Sequence, residues 1–394
     1  MSASVRGRRT VDEALLDDPA GMAENDPGGM LRATASAGAQ VRESAALAAE
    51  ANLAVLSDEG RPRAVVIAGI GTAGRTGEIL ATVAGPRCPV PVIAHRSAGV
   101  PGWVGAADVV IAVSASGRSP EALGAAEAAS RRGARLVAVG APDSLLQSVA
   151  ESARAPFIPV PRRAPARASL WALTVPVLLA ARSFGLVKVN EADLAETAAR
   201  LDADADRCRP TAESFVNPAK SLALGLAGSV PIVWGSSPLA AVAARRFADT
   251  ISANARYPVV AGALGEAGRG RVGLLDGVFG GLVESSRDIF ADPEEEQDAT
   301  RLRVVLLRDG GLANEEEADE PVAVEERRAD AIQTLAERRG VRCDVVTAEG
   351  GSPLERLASL VAVPDFASIY LALAHGLDPM AVPAVTEMKE LSNP

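Results

Sequence analysis

The chain has 394 residues, 48% of them apolar but only 3% aromatic, and a formal net charge of -10. That length and apolar content imply two folded domains with buried cores and exclude a disordered chain, while cores short of aromatics must be filled by Ala, Val and Leu, which suits helices packed closely on parallel strands. The acidic balance argues against nucleic acid or an anionic membrane surface as a partner, so an anionic ligand would need a locally positive site.

Residues 1–27 are polar and punctuated by Gly and Pro, and are expected to be loosely ordered. Arg6, Arg8 and Arg9 precede no apolar stretch of the kind a signal peptide needs, so a cytoplasmic location is expected. Residues 30–56 carry apolar side chains at helical spacing. The apolar runs 64–69, 91–94, 108–113 and 135–140 then read as strands. Between the last two, 120–132 reads as a helix, with Ser119 as its N-cap, Pro120 at its first position and Gly133 as its stop. The run 171–181 is apolar but too short to span a bilayer, and predicts a buried helix.

The pattern restarts after about residue 190. Residues 230–235 form a second strand followed by glycine, and Ser236, Ser237 and Pro238 open a helix to about Arg256. Runs 303–307 and 341–346 are later strands, acidic stretches at 292–298 and 315–326 read as solvated loops or helix starts, and two helices, 365–375 and 382–391, end the chain. Alternating strands and helices predict α/β architecture, each half a doubly wound parallel sheet with helices on both faces. The domain boundaries are set at 28–187 and 188–394. Cys88, Cys208 and Cys343 are far apart, without metal-ligand spacing, and such sparse cysteines suit a reducing compartment.

Two loops carry the chemistry. Gly69-Ile70-Gly71-Thr72-Ala73-Gly74 follows a strand and precedes a helix. It matches the dinucleotide fingerprint, but that site wants an acid about 20 residues on, where this chain has Ala94-His95-Arg96. Three readings stay open for it: a dinucleotide loop in which Arg96 serves a 2′-phosphate, a tight turn without a ligand, and part of a phosphate site. The second loop, Ser114-Ala115-Ser116-Gly117-Arg118-Ser119, gathers three hydroxyls at a helix start. Neutral donors, the positive end of a helix dipole and a glycine for close approach are what a phosphate monoester requires.

With these loops in order, the chain resembles the bifunctional phosphoglucose/phosphomannose isomerases, a branch of the sugar-isomerase (SIS) domain proteins. That family's S-Y-S-G-N-T-E-E-T is similar to 114–122, its G-M-G-G-S-G to 69–74, and its P-R-A to Ala166-Arg167-Ala168. Its C-terminal pattern is similar to Tyr370-Leu371-Ala372, Asp378-Pro379 and Met388-Lys389. The resemblance implies two flavodoxin-like SIS domains, a homodimer, a site formed between the domains, a phosphorylated sugar as ligand, and no cofactor or metal. It places Gly71, Thr72, Ala73, Ser114, Ser116, Gly117, Ser119, Arg167 and Lys389 around that sugar phosphate.

The family moves a proton between C1 and C2 of an open-chain sugar with a carboxylate base, and a histidine assists ring opening. Here the motif carrying the base reads Ser252-Ala253-Asn254-Ala255-Arg256, with Ala253 at the base position. The histidine motif reads Glu266-Ala267-Gly268-Arg269-Gly270-Arg271, with Arg269 at the histidine position. Neither replacement handles a proton. Asp249, one turn before Ala253, and Glu266 are the candidate substitutes, so the catalytic residues stay unassigned. The expected function is phosphosugar binding with weak or lost isomerase activity. The alternatives are an active hexose 6-phosphate isomerase with a replacement base, and a nucleotide-binding oxidoreductase built on 69–74. Arg269 and Arg271 would favour a ligand more anionic than a hexose monophosphate.

Overall fold

The computed structural model describes residues 11–58, 60–281, 301–310 and 320–392, in two compact units. One unit comprises residues 32–203 and 350–359; the other comprises 1–31, 204–349 and 360–394. Each is built on a parallel sheet.

The first unit's sheet has five strands: β1 (Val65–Ala68), β2 (Val92–His95), β3 (Val109–Ser114), β4 (Arg135–Gly140) and β5 (Phe157–Pro159). Their order is β2-β1-β3-β4-β5. β1 and β3 are buried along their whole lengths, as strands covered on both faces must be. Val66, Ala68, Val110, Ala112, Leu136 and Ala138 meet the alanine-rich helix Pro120–Arg131 and helix Leu145–Ser152. Helices Gly71–Ala84 and Leu170–Ser183 also pack on the strands and on each other. Leu170–Ser183 contains the apolar run expected to be buried, and its residues from Leu173 to Ala181 are all buried.

The second unit repeats the scheme with β6 (Val230–Gly235), β7 (Val260–Ala263), β8 (Leu302–Arg308) and β9 (Arg342–Thr347), in the order β7-β6-β8-β9. Helix Pro238–Thr250 contacts β6, β7 and β8, while Ala329, Ile332 and Ala336 of helix Glu320–Arg338 join Ile232, Trp234, Val304 and Leu306 in a core cluster. In both sheets the first strand in sequence lies second in order, with its successor at the edge, so the restart read in the sequence is a restart of one topology.

Three expectations differ from the fold. Residues 11–27 are not loose: they contain the turn Ala14–Asp17 and helix Pro19–Asn25, with Leu16 and Met22 completely buried. Burial of these two side chains fixes the segment, and Asp17 fastens it further: its carboxylate lies 3.7 Å from the buried Lys220 ammonium and accepts from both the N–H and the hydroxyl of Ser214. Strands β5 and β7 were missed, being three and four residues long and lacking a sustained apolar run. The helix expected at 365–375 runs from Pro353 to Ala374, straight through Pro364. Proline biases its predecessor away from helix, but this helix is long and apolar, and packing holds it together. It is the one helix among the described residues long and apolar enough to cross a membrane, and 94% of that apolar window is buried, as in a core helix. The acidic stretch 292–298 lies outside the described residues, as do 315–319, while 320–326 begin a helix.

At the amino end of the first sheet, Asp108 is fully buried. It accepts from Arg63 Nε at 2.9 Å and Nη2 at 2.6 Å, and from the Gly105 N–H at 2.9 Å. Burial pushes this carboxyl up, but the guanidinium and the N–H outweigh it, and the group sits below its ordinary 3.8. The unfolded chain therefore binds the proton first on acidification. The pair's stabilisation is complete above the ordinary carboxylate range and is lost as pH falls through the lowered native value. Asp108→Asn is expected to cost about 1–2 kcal/mol at neutral pH. The gap between variant and native protein should close as pH falls below about 4 in urea unfolding; a gap of constant size would contradict this account.

Candidate functional site

In a sheet of this order the chain leaves β1 and β3 toward opposite faces, and a crevice opens above the carboxyl ends of the two strands. Both loops singled out in the sequence lie there. β1 and β3 are paired neighbours with Ala68 opposite Ala112, and a side chain at Gly69 would come within 2.8 Å of the Val113 carbonyl.

Gly71, Thr72 and Ala73 form the first turn of helix Gly71–Ala84. The residue before them, Ile70, supplies no side-chain cap, so the N–H groups that open the helix lack the acceptor a Ser or Asp would provide. Gly74 lets this helix sit close on the strand end: a Cβ there would lie 2.6 Å from the Gly69 carbonyl and 3.1 Å from Arg96 Nη1. Arg96, just past β2, is turned onto Glu78 (2.5 Å), whose other oxygen accepts from Arg75 (2.7 Å). The arginine that would have served a 2′-phosphate is thus engaged in an ion pair, which weighs against the dinucleotide reading.

The second loop is wound on its own hydroxyls. Ser114, 3% exposed, has its Oγ 3.5 Å from Ser116 Oγ and accepts from the Ser119 N–H at 3.4 Å. Ser116 Oγ accepts from the Arg118 N–H at 3.2 Å, and Ser119 Oγ caps helix Pro120–Arg131 through the Ala122 N–H at 3.4 Å. Bonds this long are weak. A phosphate oxygen would offer the same donors a charged and stronger acceptor. Gly117 has φ +65°, and a Cβ on it would lie 2.0 Å from Ser144 Oγ, so the loop's path requires glycine. Arg167 is half-buried in the 3-10 turn Ala166–Ala168, which packs beside helix Gly71–Ala84. Gly71–Ala73, Ser114–Ser119 and the turn of Arg167 therefore share one unit. Arg118 is exposed on the loop.

The remaining sequence candidates belong to the second unit. Lys389 is exposed on helix Pro383–Ser392, which buries none of its residues. Ala253 lies in a π-helical turn, Ile251–Ala255, that continues helix Pro238–Thr250, and Arg256 after it has φ +61°. A π turn is wider than an α turn, so the four-residue spacing that placed Asp249 on the same face as Ala253 does not carry over, and Asp249 is exposed. Buried contacts pin this segment. Arg246 grips Asp365 with two nitrogens (3.1 and 2.9 Å), and Asn254 donates to Ser368 Oγ at 2.9 Å. Arg256 donates to the Ala381 carbonyl at 2.5 Å. Burial raises the Asp365 carboxyl, and the Arg246 guanidinium opposes that rise. Sequence reasoning missed this network; the signal was a lone carboxylate, Asp365, inside an apolar run, which demands a buried cation. Glu266 and Arg269 are exposed after β7, where the Arg269 N–H donates to the Glu266 carbonyl (3.0 Å), and Arg271 donates to the Ala261 carbonyl (3.3 Å). His375 meets the Tyr257 hydroxyl at 2.5 Å.

Comparison with known proteins bears on the fold and the family relation. Residues 215–391 match the model of the bacterial phospho-glucose isomerase C-terminal SIS domain. The bifunctional phosphoglucose/phosphomannose isomerase of Caldicellulosiruptor bescii is 27% identical over 330 residues, covering 82% of this chain and 88% of that protein. Among solved structures, a hypothetical protein of Thermus thermophilus superposes with a TM-score of 0.66 at 15% identity, covering 96% of this chain and 94% of the other. The C-terminal domain of glucosamine-fructose-6-phosphate aminotransferase from Francisella tularensis superposes with a TM-score of 0.60 at 13% identity, covering 89% and 97%. Two parallel sheets flanked by helices, a matching SIS domain in the second half and similarity along most of the chain make this protein a distant homologue of the bifunctional phosphoglucose/phosphomannose isomerases.

Proposed function

We propose that this chain binds a phosphorylated sugar through Ser114, Ser116, Gly117 and Ser119, with Gly71, Thr72, Ala73 and Arg167 beside them, and that isomerase turnover is weak or lost. One observation carries the binding half: two helix starts, one without a capping side chain and one ringed by three serine hydroxyls, stand side by side at the ends of β1 and β3. Hydroxyls and helix N–H groups neutralise a phosphate without needing a lysine. The name of the distant homologue supplies the sugar.

The chemical half rests on Ala253 and Arg269. A methyl group cannot take a proton, and an arginine holds its proton at any working pH. Asp249 and Glu266 are both exposed, and the wider π turn takes Asp249 off the face of Ala253, so neither is placed where the base belongs. A cytoplasmic homodimer completes the proposal; sedimentation of the pure chain tests the dimer.

Calorimetry with fructose, glucose and mannose 6-phosphates tests the binding. Ser116→Ala is expected to weaken affinity by about tenfold, the loss of one charge-assisted hydrogen bond, with an unchanged melting temperature. Equal affinity of both proteins would remove the loop from the site. Gly117→Ala is expected to cost about 1–3 kcal/mol of stability through its positive φ and the crowding at Ser144, and to abolish binding; a variant that melts and binds like the native protein would refute the loop geometry. Turnover between the three hexose phosphates should fall at least about 100-fold below an ordinary rate of about 10 per second, since a positioned base supplies about 100- to 10,000-fold. Turnover at the ordinary rate by protein free of host isomerase would overturn the claim.

A further inference from the structure

β4 and β9 each stand fourth in the order of their sheets. Beyond β4 lies β5, and β4 is buried from Leu136 to Gly140. Among the described residues no strand lies beyond β9, and Arg342, Val345 and Thr347 of that strand are exposed. The second sheet therefore ends one strand earlier than the first, on the corresponding side.

The backbone of β9 pairs with β8 from Arg342 to Thr347. In a strand with one neighbour, alternate residues turn their N–H and carbonyl groups away from that neighbour. Among the described residues those groups of β9 have no backbone partner, and the Cys343 thiol, 4.0 Å from the Asp344 carbonyl, is a weak one. Proteins blunt such edges with prolines, lysines, bulges or a covering segment. β9, Arg342-Cys343-Asp344-Val345-Val346-Thr347, has no proline or lysine and runs without a bulge. Its β-branched end, Val345 to Thr347, favours strand pairing, and Val345 is 39% exposed. Its carboxylate is already neutralised, because Asp344 accepts from Arg303 Nε at 2.5 Å and from Nη2 at 2.8 Å.

We infer that β9 is the docking edge for a second copy of this chain, whose own β9 pairs with it antiparallel across a two-fold axis, so that one sheet runs through both copies with four strands from each. This is the contact face of the proposed homodimer, so it rests on that dimer, and none of the ligand-binding residues takes part. An antiparallel edge contact is self-complementary, as a two-fold dimer requires. Charge selects the register. A two-fold at Asp344 would set two carboxylates directly opposite each other, which is destabilising. A two-fold at Val345 sets Val345 on its copy, Asp344 opposite Val346 and Cys343 opposite Thr347, with the two Arg342 side chains at the far ends. No like charges then stand directly opposite, and an exposed apolar side chain gains an apolar partner.

Analytical ultracentrifugation of the full chain tests this on the native protein, Val345→Lys and Val345→Thr. Val345→Lys brings two ammonium groups face to face at the axis and should weaken dimerisation at least about tenfold. Val345→Thr, which keeps the branch without a charge, should dimerise like the native chain. Circular dichroism checks that each variant is folded. Val345→Cys, oxidised at about pH 8, should give a cross-linked dimer, because directly opposed Cβ atoms lie about 5 Å apart. Burial pushes the Cys343 thiol up to about 11, so that thiol stays protonated and does not compete. Leu145→Cys, at an exposed position on the first unit, is the control and should give no cross-link. Where Val345→Lys loses its fold, the cross-link decides. A dimer that survives Val345→Lys, or one whose Val345→Cys form cross-links no more than Leu145→Cys, overturns the inference and leaves the proposed dimer standing. A native chain that stays monomeric at every concentration overturns both.

Discussion

Strands β1 and β3 are buried on both faces, and helices must therefore cover the sheet above and below. Because β1 connects to an edge strand on one side and β3 begins the run on the other, their outgoing helices part to opposite faces. The gap between the parting chains is a consequence of covering the sheet, and it brings two helix starts together. The site that follows is made mainly of backbone. Glycines let the chain turn closely, N–H groups open the helices, and serines line the turn. An arrangement made of backbone in this way tolerates heavy sequence change as long as the sheet stays covered, in keeping with a chain only 27% identical to its relative.

The segment of Ala253 illustrates the opposite dependence. A general base is one side chain at one point, and the fold does not need it. The π turn carrying Ala253 is held by Arg246 on Asp365, by Asn254 on Ser368 and by Arg256 on the Ala381 carbonyl. None of these contacts involves the side chain at 253, so a methyl there leaves the scaffold in place. The buried Arg246–Asp365 pair is a liability if broken, since either charge alone would be stranded away from water. It therefore preserves the turn whether or not chemistry still happens on it.

A core with few aromatics makes polar fasteners conspicuous. Ala-rich helices approach the first sheet closely and pack uniformly, but uniform packing specifies position weakly. Directional contacts add the missing registration: Arg63 on Asp108 at the sheet's amino edge, Lys220 on the carbonyls of Pro210 and Ala212, and the Tyr370 hydroxyl on the Cys208 carbonyl.

Much of the fold was legible in local patterns. Continuous Val/Ile/Ala runs marked the buried strands, Ser119 and Pro120 marked a helix start that forms as expected, and the glycine spacing at 69–74 and the serines at 114–119 marked the two turns that meet above β1 and β3, because such positions answer to backbone geometry within a few residues. Short strands β5 and β7 escaped notice, since three or four residues carry no periodicity and are strands only by having a neighbour to pair with. The helix through Pro364 escaped because proline's local cost was outweighed by the burial of a long apolar face. Tertiary structure alone decided that Arg96 is taken up by Glu78, that Asp365 has Arg246, that the turn at Ala253 widens, and that Arg61, Arg63 and Arg135 share one cavity. These are meetings between residues up to 119 positions apart in the chain, and a linear pattern holds no record of distance across a fold: periodicity reports which face a side chain takes, whereas charge pairing depends on which other chain segment arrives opposite it.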